Sequence, residues 1–205
     1  MTDRWLLLDI GGVLELVDDR GRPGTFAARW APVLGMTEGE FTERLAVADL
    51  PDATRRTGVA ELYWSRVGQA LGASPDQLAS MRADFWDDYC GVLNQELVAS
   101  LARLRATVGL AVLSNSGDGA REEEERRYRF SELFDPICYS HEIGATKPGR
   151  AAFEVALDRM DAAPGSVLFI DDVPQNVEGA RAVGIRSHLH SDNATTLEAI
   201  GRFLQ

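Results

Sequence analysis

Short, largely apolar runs recur along this chain, and each is bounded by glycine, proline or a polar residue. Runs of this length and composition are typical of strands that are buried on both faces of a sheet. The predicted strands are Trp5–Leu8, Leu110–Leu113, Ile137–Tyr139, Val167–Ile170 and Ile185–Leu189. The pattern therefore predicts a sheet whose strands are spread over the whole length of the chain.

Segments with helical periodicity alternate with the later strands. They are Gln95–Arg105, Ala120–Arg129, Arg150–Met160, Val177–Val183 and Thr196–Phe203. Strands that alternate with helices are joined by right-handed crossovers, which give a mainly parallel sheet with helices on both faces. The sequence therefore predicts an α/β fold of the Rossmann-like type.

The stretch between the first two strands departs from this alternation, because it is helical in pattern for most of its length. Its predicted helices are Phe26–Leu34, Glu38–Ala46, Val59–Leu71 and Pro75–Tyr89. Three of the four tryptophans, Trp30, Trp64 and Trp86, lie here. We expect them to form the core of a small bundle rather than a ligand box. We predict a core domain made of residues 1–15 and 94–205, interrupted by a helical insertion of residues 16–93.

Composition and charge limit the classes of function. Hydrophobic residues make up 45% of the 205 residues and charged residues 26%, as in folded globular proteins. A formal net charge of −11 opposes binding to nucleic acid and to anionic membranes, so neither is an expected partner. The first apolar run is too short for a signal peptide, and Cys90 and Cys138 form neither a disulfide framework nor a metal-ligand pattern. We expect a cytoplasmic protein, and the sequence leaves the oligomeric state open.

Polar side chains stand at the ends of three predicted strands. Asp9 follows the first strand, Ser114 the second, and the pair Asp171 and Asp172 the fourth. Ligands of parallel sheets bind at these carboxyl ends. Lys147 is the single lysine among 21 lysines and arginines, which indicates a place that needs a compact ammonium rather than a planar guanidinium. Each feature alone could equally be a helix cap or a surface turn.

The order of these features, an aspartate, a serine, a lysine and an acidic pair, resembles the four motifs of the haloacid dehalogenase-like superfamily. The segments that carry the resemblance are Asp9-Ile10-Gly11-Gly12-Val13-Leu14, Ser114-Asn115, Gly144-Ala145-Thr146-Lys147-Pro148 and Phe169-Ile170-Asp171-Asp172-Val173-Pro174-Gln175-Asn176. The resemblance covers nearly the whole chain. It implies a phosphatase acting on a small phosphorylated metabolite, with the insertion as a helical cap that closes over the site and selects the substrate.

The resemblance also implies a magnesium site beside the nucleophile. Asp9 would attack phosphorus and form an aspartyl-phosphate. Mg²⁺ prefers hard oxygen ligands and keeps several waters, so few protein ligands are needed. The implied ligands are Asp9, the backbone carbonyl of Gly11 and Asp172. Asp171 would act through water, or exchange roles with Asp172.

The remaining motif residues would handle the phosphate. Lys147 beside Asp9 would keep that carboxylate ionised and stabilise charge in the transition state. Ser114 would donate a hydrogen bond to a phosphoryl oxygen, supported by backbone amides near the following helix. Asn115 would reach the phosphate or the leaving group, and Asn176 would orient the metal loop.

The sequence departs from the family pattern at Gly11. Most phosphatases of the superfamily carry an aspartate there, which protonates the leaving group and then activates water. General acid–base catalysis contributes about 10²- to 10⁴-fold in rate. We expect a phosphatase that manages without it, through metal-bound water, the substrate, or another carboxylate such as Glu15 or Asp18. Glycine at this position occurs in capped members that resemble sugar-phosphate phosphatases.

Two alternatives stay open. One is a metal-independent haloacid dehalogenase, against which the intact pair Asp171 and Asp172 counts. The other is a catalytically weak or inactive regulator that binds phosphate or metal. A phosphonate-cleaving relative would need a lysine in the insertion, which has none. A receiver-type signalling domain would carry its acidic pair after the first strand, without an insertion of this length.

Overall fold

The computed structural model describes residues 4–16 and 22–205. In chain order its strands and helices are β1 (Trp5–Leu8), β2 (Glu15–Leu16), α1 (Arg22–Val33), α2 (Glu38–Val47), α3 (Ala60–Leu71), α4 (Pro75–Cys90), β3 (Val92–Leu93), α5 (Gln95–Leu104), β4 (Gly109–Ser114), α6 (Ala120–Tyr128), β5 (Ile137–Tyr139), α7 (Ser140–Ile143), α8 (Arg150–Met160), β6 (Val167–Asp171), α9 (Pro174–Ala182), β7 (Arg186–Leu189) and α10 (Asn193–Leu204). Single turns of 3₁₀ helix lie at Phe130–Glu132 and Pro164–Ser166. Within the described residues, no helix is both long enough and apolar enough to cross a bilayer.

Strand β1 lies at the centre of a five-stranded sheet in the described part of the chain. The strand order is β5-β4-β1-β6-β7, and every neighbouring pair is parallel. Leu7 of β1 pairs with Ala111 of β4 on one side and with Phe169 of β6 on the other. The predicted α/β fold with a mainly parallel sheet is confirmed, and each predicted strand is present to within one residue at either end.

The two faces of the sheet bury different side chains, because successive residues of a strand point in opposite directions. Leu6 of β1 shares a core cluster with Leu97 of α5 and Ile200 of α10. Leu7 belongs to a second cluster, together with Phe153 of α8. Helices therefore cover both faces, which explains why β1 is apolar at every position.

Helices α1 to α4 form a helical unit with a core of its own. Its buried cluster includes Trp30, Phe41, Trp64 and Met81. The expectation of a tryptophan-rich bundle core is confirmed for Trp30 and Trp64, whereas Trp86 packs into a core cluster of the sheet. Trp86 thereby fixes α4 to the sheet domain.

A two-stranded antiparallel ribbon joins the helical unit to the sheet domain. Glu15 pairs with Leu93, and Leu16 pairs with Val92. These pairs stand at the two ends of the predicted insertion. Strands of two residues carry no periodicity, so the sequence pattern does not predict them.

Candidate active site

The carboxyl ends of β1, β4 and β6 lie side by side, because β1 is hydrogen-bonded to both of the other strands. Asp9 follows β1, Ser114 ends β4 and Asp171 ends β6. Carboxylate oxygens of Asp9, Asp171 and Asp172 lie within 4.8 Å of one another. The fold thus brings together residues that are more than 160 positions apart in the sequence.

Lys147 connects two of these carboxylates. Its Nζ lies 2.7 Å from Asp9 Oδ1 and 2.7 Å from Asp171 Oδ2, and the Lys147 side chain is fully buried. The same ammonium lies 5.5 Å from the centre of the Phe169 ring. A buried cation needs such paired partners, because the loss of hydration is otherwise too costly.

The Asp9 carboxyl is subject to opposing electrostatic effects. Burial raises its pKa to about 7, the nearby Lys147 opposes that rise, and the negative Asp171 adds to it. Asp9 Oδ1 also accepts a 2.8 Å hydrogen bond from the backbone N–H of Ile10. Three clustered carboxylates face one ammonium, which leaves an excess of negative charge. The donor set therefore fits a divalent cation, whose charge would lower the pKa of Asp9.

Asp171 is the carboxylate whose oxygens are already engaged. It is fully buried, and besides Lys147 it accepts hydrogen bonds from the backbone N–H of Val173 at 2.8 Å and from Asn176 Nδ2 at 3.1 Å. Asn176 is thus hydrogen-bonded to the acidic loop, and its role in orienting that loop stays a prediction. Asp171 in turn orients Lys147.

Asp172 lies against the glycine turn that follows β1. A Cβ atom built on Gly12 would stand 2.1 Å from Asp172 Oδ2, and Gly12 has a φ of +77°. Glycine is required at position 12 for both reasons, since any side chain would clash with the carboxylate and strain the backbone. Asp172 is partly exposed, unlike Asp171, so its oxygens are the more accessible to a cation.

Asn115 holds Lys147 through the backbone. Its Nδ2 donates a 2.9 Å hydrogen bond to the Lys147 carbonyl, and its Oδ1 accepts a 2.8 Å hydrogen bond from the Lys147 N–H. The sequence suggested instead that Asn115 reaches the phosphate or the leaving group. The two residues are 32 positions apart, so no local pattern could indicate this contact.

Three other residues singled out by sequence lie at or near this edge. Ser114 is buried and paired with Tyr139 of β5. Gly11 is partly exposed and forms a single β-bridge with Glu15. Glu15, one suggested substitute for the missing acid, is buried, and the other, Asp18, lies outside the described residues.

Hydrogen bonds between loops connect the helical unit to this edge of the sheet. Asp118 Oδ2 accepts hydrogen bonds from the backbone N–H groups of Val59 at 2.6 Å and Ala60 at 2.7 Å, and so caps α3. Ser140 Oγ donates a 2.8 Å hydrogen bond to the Thr54 carbonyl. The sheet domain therefore supplies the side chains that form hydrogen bonds with the loop before α3 and with the start of that helix.

A cavity of about 520 Å³ lies between the helical unit and the site. Asn115 and Lys147 line it from the sheet domain, and helices α3 and α4 line it from the opposite side. Its size falls in the ordinary range of small-ligand pockets.

A further buried carboxyl, which the sequence pattern does not indicate, lies behind the site. Glu124 of α6 is fully buried and accepts a hydrogen bond from the Tyr139 hydroxyl. The pKa of Glu124 is raised to about 8, chiefly by burial and in smaller part by the charge of Asp9, while the hydrogen bond from Tyr139 and the charge of Arg121 oppose the rise. Glu124 stands in an acidic run of four glutamates, residues 122–125, which by composition alone is typical of a solvated helix face.

Comparisons with known proteins find a matching family and several similar proteins. A family model described as haloacid dehalogenase-like hydrolase matches residues 83–189, slightly more than half of the chain. A phosphatase of Mycobacterium tuberculosis (strain CDC 1551 / Oshkosh) is 34% identical over 73 residues, which are 36% of this chain and 34% of that protein. The (S)-2-haloacid dehalogenase 2 of Pseudomonas sp. (strain CBS-3) is 26% identical over 108 residues, 52% of this chain and 47% of that protein. The matched part of the chain thus spans less than half of either relative.

Solved structures share the fold at lower identity. A HAD family enzyme of Bacteroides thetaiotaomicron aligns with a TM-score of 0.76 at 21% identity, covering 97% of this chain and 99% of that one. The wild-type form of that enzyme, in complex with magnesium and inorganic phosphate, aligns with a TM-score of 0.69 at 20% identity over 92% and 94% of the two chains. A 2-haloacid dehalogenase from Pseudomonas syringae pv. Tomato DC3000 gives 0.68 at 19% identity over 99% and 100%.

Proposed function

The chain belongs to the haloacid dehalogenase-like hydrolase family, and within it we propose a magnesium-dependent phosphatase of small phosphate monoesters. The observation that carries the proposal is the Lys147 ammonium, 2.7 Å from both Asp9 and Asp171 and beside the third carboxylate, Asp172. A phosphate monoester is a dense anion, so a carboxylate-rich site accepts it only when cations balance the charge. One ammonium and one divalent cation offset the charge of the three carboxylates, so the anion enters a site without net negative charge.

We assign the cation to Asp9, Asp172 and the backbone carbonyl of Gly11. Three protein oxygens suffice for Mg²⁺, which keeps water in its remaining positions. Asp171 is left to hold Lys147 and its own loop, because hydrogen bonds already engage both of its oxygens. When bound, the cation neutralises phosphoryl oxygens and favours the ionised form of Asp9. The Bacteroides thetaiotaomicron enzyme, which shares the fold, binds magnesium and inorganic phosphate, and this supports a proposed site for both without identifying its ligand residues.

The reaction uses Asp9 as nucleophile in two steps. A carboxylate oxygen of Asp9 bonds to phosphorus as the bond between phosphorus and the leaving oxygen breaks. Water then attacks phosphorus, which releases inorganic phosphate and restores the Asp9 carboxylate. Lys147 keeps Asp9 ionised and stabilises charge on the transferred group.

Ser114 and the loop after β4 are the proposed source of hydrogen bonds to the phosphate. The backbone N–H of Ser116 donates to Ser140 Oγ at 2.9 Å, and that of Asp118 donates to the Ala53 carbonyl at 2.8 Å. The Ser114 hydroxyl and the backbone N–H of Asn115 are therefore the groups we assign to phosphoryl oxygens. The Asn115 side chain acts instead as a positioning group for Lys147.

We propose that the inserted residues 16–93 act as the cap of this site, and residues 1–15 and 94–205 as the catalytic core. The ribbon that pairs Glu15 with Leu93 supports this division, since it lies where the insertion leaves and rejoins the sheet domain. The contacts of Asp118 and Ser140 with the loop before α3 support a closed cap. A closed cap excludes water and contacts the leaving group.

A hydrolysis assay on purified protein tests the function. We expect p-nitrophenyl phosphate and other monoesters to be hydrolysed with added Mg²⁺, and activity to disappear reversibly with a chelator. Asp9→Asn should abolish turnover, because a neutral amide neither attacks phosphorus nor binds Mg²⁺ well, while Asp158→Asn, on an exposed part of α8, should not. Chloride release from 2-chloropropionate in the presence of chelator would instead assign the dehalogenase activity. Binding of Mg²⁺ and phosphate without any turnover would assign a binding protein.

A further inference from the structure

Five aromatic rings of the helical unit form a continuous edge-to-face series. Tyr63 contacts Trp64 at 5.6 Å between ring centres, and Trp64 contacts Phe85 at 5.3 Å. Phe85 contacts Trp86 at 5.0 Å, and Trp86 contacts Tyr89 at 5.2 Å. The angles between ring planes lie from 72° to 84°, which is the favourable edge-to-face arrangement. We call this series the aromatic wall.

All five residues of the aromatic wall line the 520 Å³ cavity. Lys147 also lines the cavity, and its ammonium contacts the proposed nucleophile Asp9. A substrate with its phosphoryl group at Asp9 would therefore place its leaving group in this cavity. The two tryptophans of the wall are buried core residues, whereas Tyr63, Phe85 and Tyr89 are partly exposed, so these three rings are accessible to a ligand.

Polar side chains that line the cavity are largely engaged within the protein. Asp118 accepts two backbone hydrogen bonds from the start of α3, and Asn115 is bound to the backbone of Lys147. Ser116 Oγ lies 2.8 Å from His141 Nδ1. Asp52 accepts hydrogen bonds from both the backbone and the hydroxyl of Thr54. The carboxylates keep free lone pairs, but these contacts already occupy much of the polar surface, so a ligand with many hydroxyl groups would gain fewer hydrogen bonds here than it loses from water.

We propose that the cavity binds an aromatic ring carried by the leaving group, so that the substrates are phosphate monoesters of ring-bearing alcohols or phenols rather than sugar phosphates. This inference rests on the proposed phosphatase function. The aromatic wall offers the planar ring edge-to-face contacts and an apolar surround, and the phosphoryl group remains at Asp9 and Lys147. Substrate selection then comes from ring burial in the helical unit, while the chemistry comes from the sheet domain.

The test compares primary alkyl phosphates, so that the ease of departure of the leaving group changes little. We expect kcat/KM to be higher for 2-phenylethyl phosphate than for glucose 6-phosphate by at least about tenfold, as burial of a ring permits. The phenyl ester should also exceed 2-cyclohexylethyl phosphate in kcat/KM by about two- to tenfold, since the saturated ring lacks the edge-to-face contacts. A kcat/KM for glucose 6-phosphate equal to or above that for the phenyl ester would overturn the inference. Equal kcat/KM values for the phenyl and cyclohexyl esters would show that the cavity selects a ring but not an aromatic one.

Variants of α3 locate the ring site. Tyr63→Leu removes a ring at the end of the aromatic wall and should lower the ratio of kcat/KM between the phenyl and glucose esters by about three- to tenfold. Tyr63→Phe keeps the ring and should keep the ratio. Leu62→Ala is the matched control, because Leu62 is 49% exposed and does not line the cavity. An unchanged ratio in Tyr63→Leu would place the ring elsewhere.

Binding separates failure of this inference from failure of the proposed function. If no monoester is hydrolysed, the phosphatase function fails. The ring site is then judged by titration of the magnesium-loaded protein with 2-phenylethylphosphonate and with methylphosphonate. Tighter binding of the phenyl compound supports the ring site, and equal binding overturns it.

Discussion

The side-chain amide of Asn115 is hydrogen-bonded to both backbone polar groups of Lys147, at 2.9 Å and 2.8 Å. Through this pair, the loop after β4 determines the position of the lysine backbone, and Asp171 determines the position of its ammonium. Lys147 is thus held at both ends. Such restraint matters in a site where an error of about 1 Å can lower the rate by about 10²-fold.

Asn115→Ala removes both hydrogen bonds to Lys147. We expect kcat for a phosphate monoester to fall by about 10- to 100-fold, with a smaller change in KM, because the lysine is displaced relative to the nucleophile. Steady-state kinetics measures this change, and circular dichroism checks that the variant is folded. Asn115→Asp should be at least as damaging, since it cannot donate to the Lys147 carbonyl. A change confined to KM would show that Asn115 contacts substrate instead.

Lys147→Arg keeps the charge but not the shape. The lysine side chain is fully buried and lies 2.7 Å from each of two carboxylates, so a planar guanidinium must displace its neighbours. We expect kcat to fall by about 10²-fold or more. Arg150→Lys, the reverse exchange at a side chain that is 66% exposed, is the control and should keep full activity. An active Lys147→Arg enzyme would mean that any cation suffices at this position.

Replacement of Asp172 should mainly lower Mg²⁺ affinity, whereas replacement of Asp171 should mainly lower stability. Asp172→Ala should weaken Mg²⁺ binding by about tenfold or more, measured by titration calorimetry. Asp171→Ala removes one of the two carboxylates beside the buried Lys147 ammonium and the acceptor of the Asn176 amide, so we expect a loss of about 2–4 kcal/mol in the free energy of unfolding. Urea denaturation in chelator measures that loss. A larger effect on Mg²⁺ affinity from Asp171→Ala, at unchanged stability, would exchange the two assignments.

Glu124 should make stability depend on pH. Its pKa is about 8 in the folded chain, against 4.5 in the absence of burial. Below pH 4.5 the carboxyl is protonated in both states; between pH 4.5 and 8 the folded state retains a proton that the unfolded chain releases. The free energy of unfolding therefore falls as the pH rises through this window, by about 1.4 kcal/mol per unit at most.

Glu124→Gln removes this titration. The free energy of unfolding of the variant, relative to that of the wild type, should rise by a few kcal/mol between pH 5 and pH 8.5, because only the wild type loses stability through this titration. Urea denaturation at several pH values gives the difference. Glu122→Gln, at an exposed position on the same helix, should follow the wild-type curve. Parallel curves for Glu124→Gln and wild type would show that Glu124 is ionised in the folded protein.

Local pattern predicts β1, β4, β5 and β6, because each is a largely apolar run that ends at or next to a polar residue, whereas β7 has the sequence Arg-Ser-His-Leu and is indicated by its place after Gly184. The starts of some helices differ from the prediction. Helix α9 begins at Pro174 rather than at the predicted Val177, because proline suits the first turn of a helix. Helix α10 begins at Asn193 rather than at the predicted Thr196. Asp192 caps this start, because its side chain accepts a hydrogen bond from the Thr195 N–H.

Some residues of the candidate site can be predicted from the sequence, and others cannot. Asp9 and Asp171 are recognisable in the sequence because they stand at strand ends, and Lys147 because it is the single lysine and takes its place in the same order of motifs. The hydrogen bonds of Asn115 and the burial of Glu124 depend on contacts between distant segments, which leave no periodic trace in the chain. The pairing of the aromatic wall with a cavity is equally a product of tertiary packing.

Gly11 is the position where the chain departs from most phosphatases of its family. Without an aspartate there, the site must depend more on the leaving group's own ability to carry negative charge. Phenyl phosphate should therefore be hydrolysed faster than 2-phenylethyl phosphate, whose ring is the same but whose alkoxide leaves less readily. Gly11→Asp should raise the rate of the alkyl ester more than that of the phenyl ester, by up to about 10²- to 10⁴-fold if the new carboxyl donates a proton. Steady-state kinetics on the two esters measures this change, and Gly11→Asn, which adds similar bulk without a proton donor, is the control. Equal wild-type rates for the two esters, limited by the chemical step, would contradict the prediction and show that another group already supplies the proton.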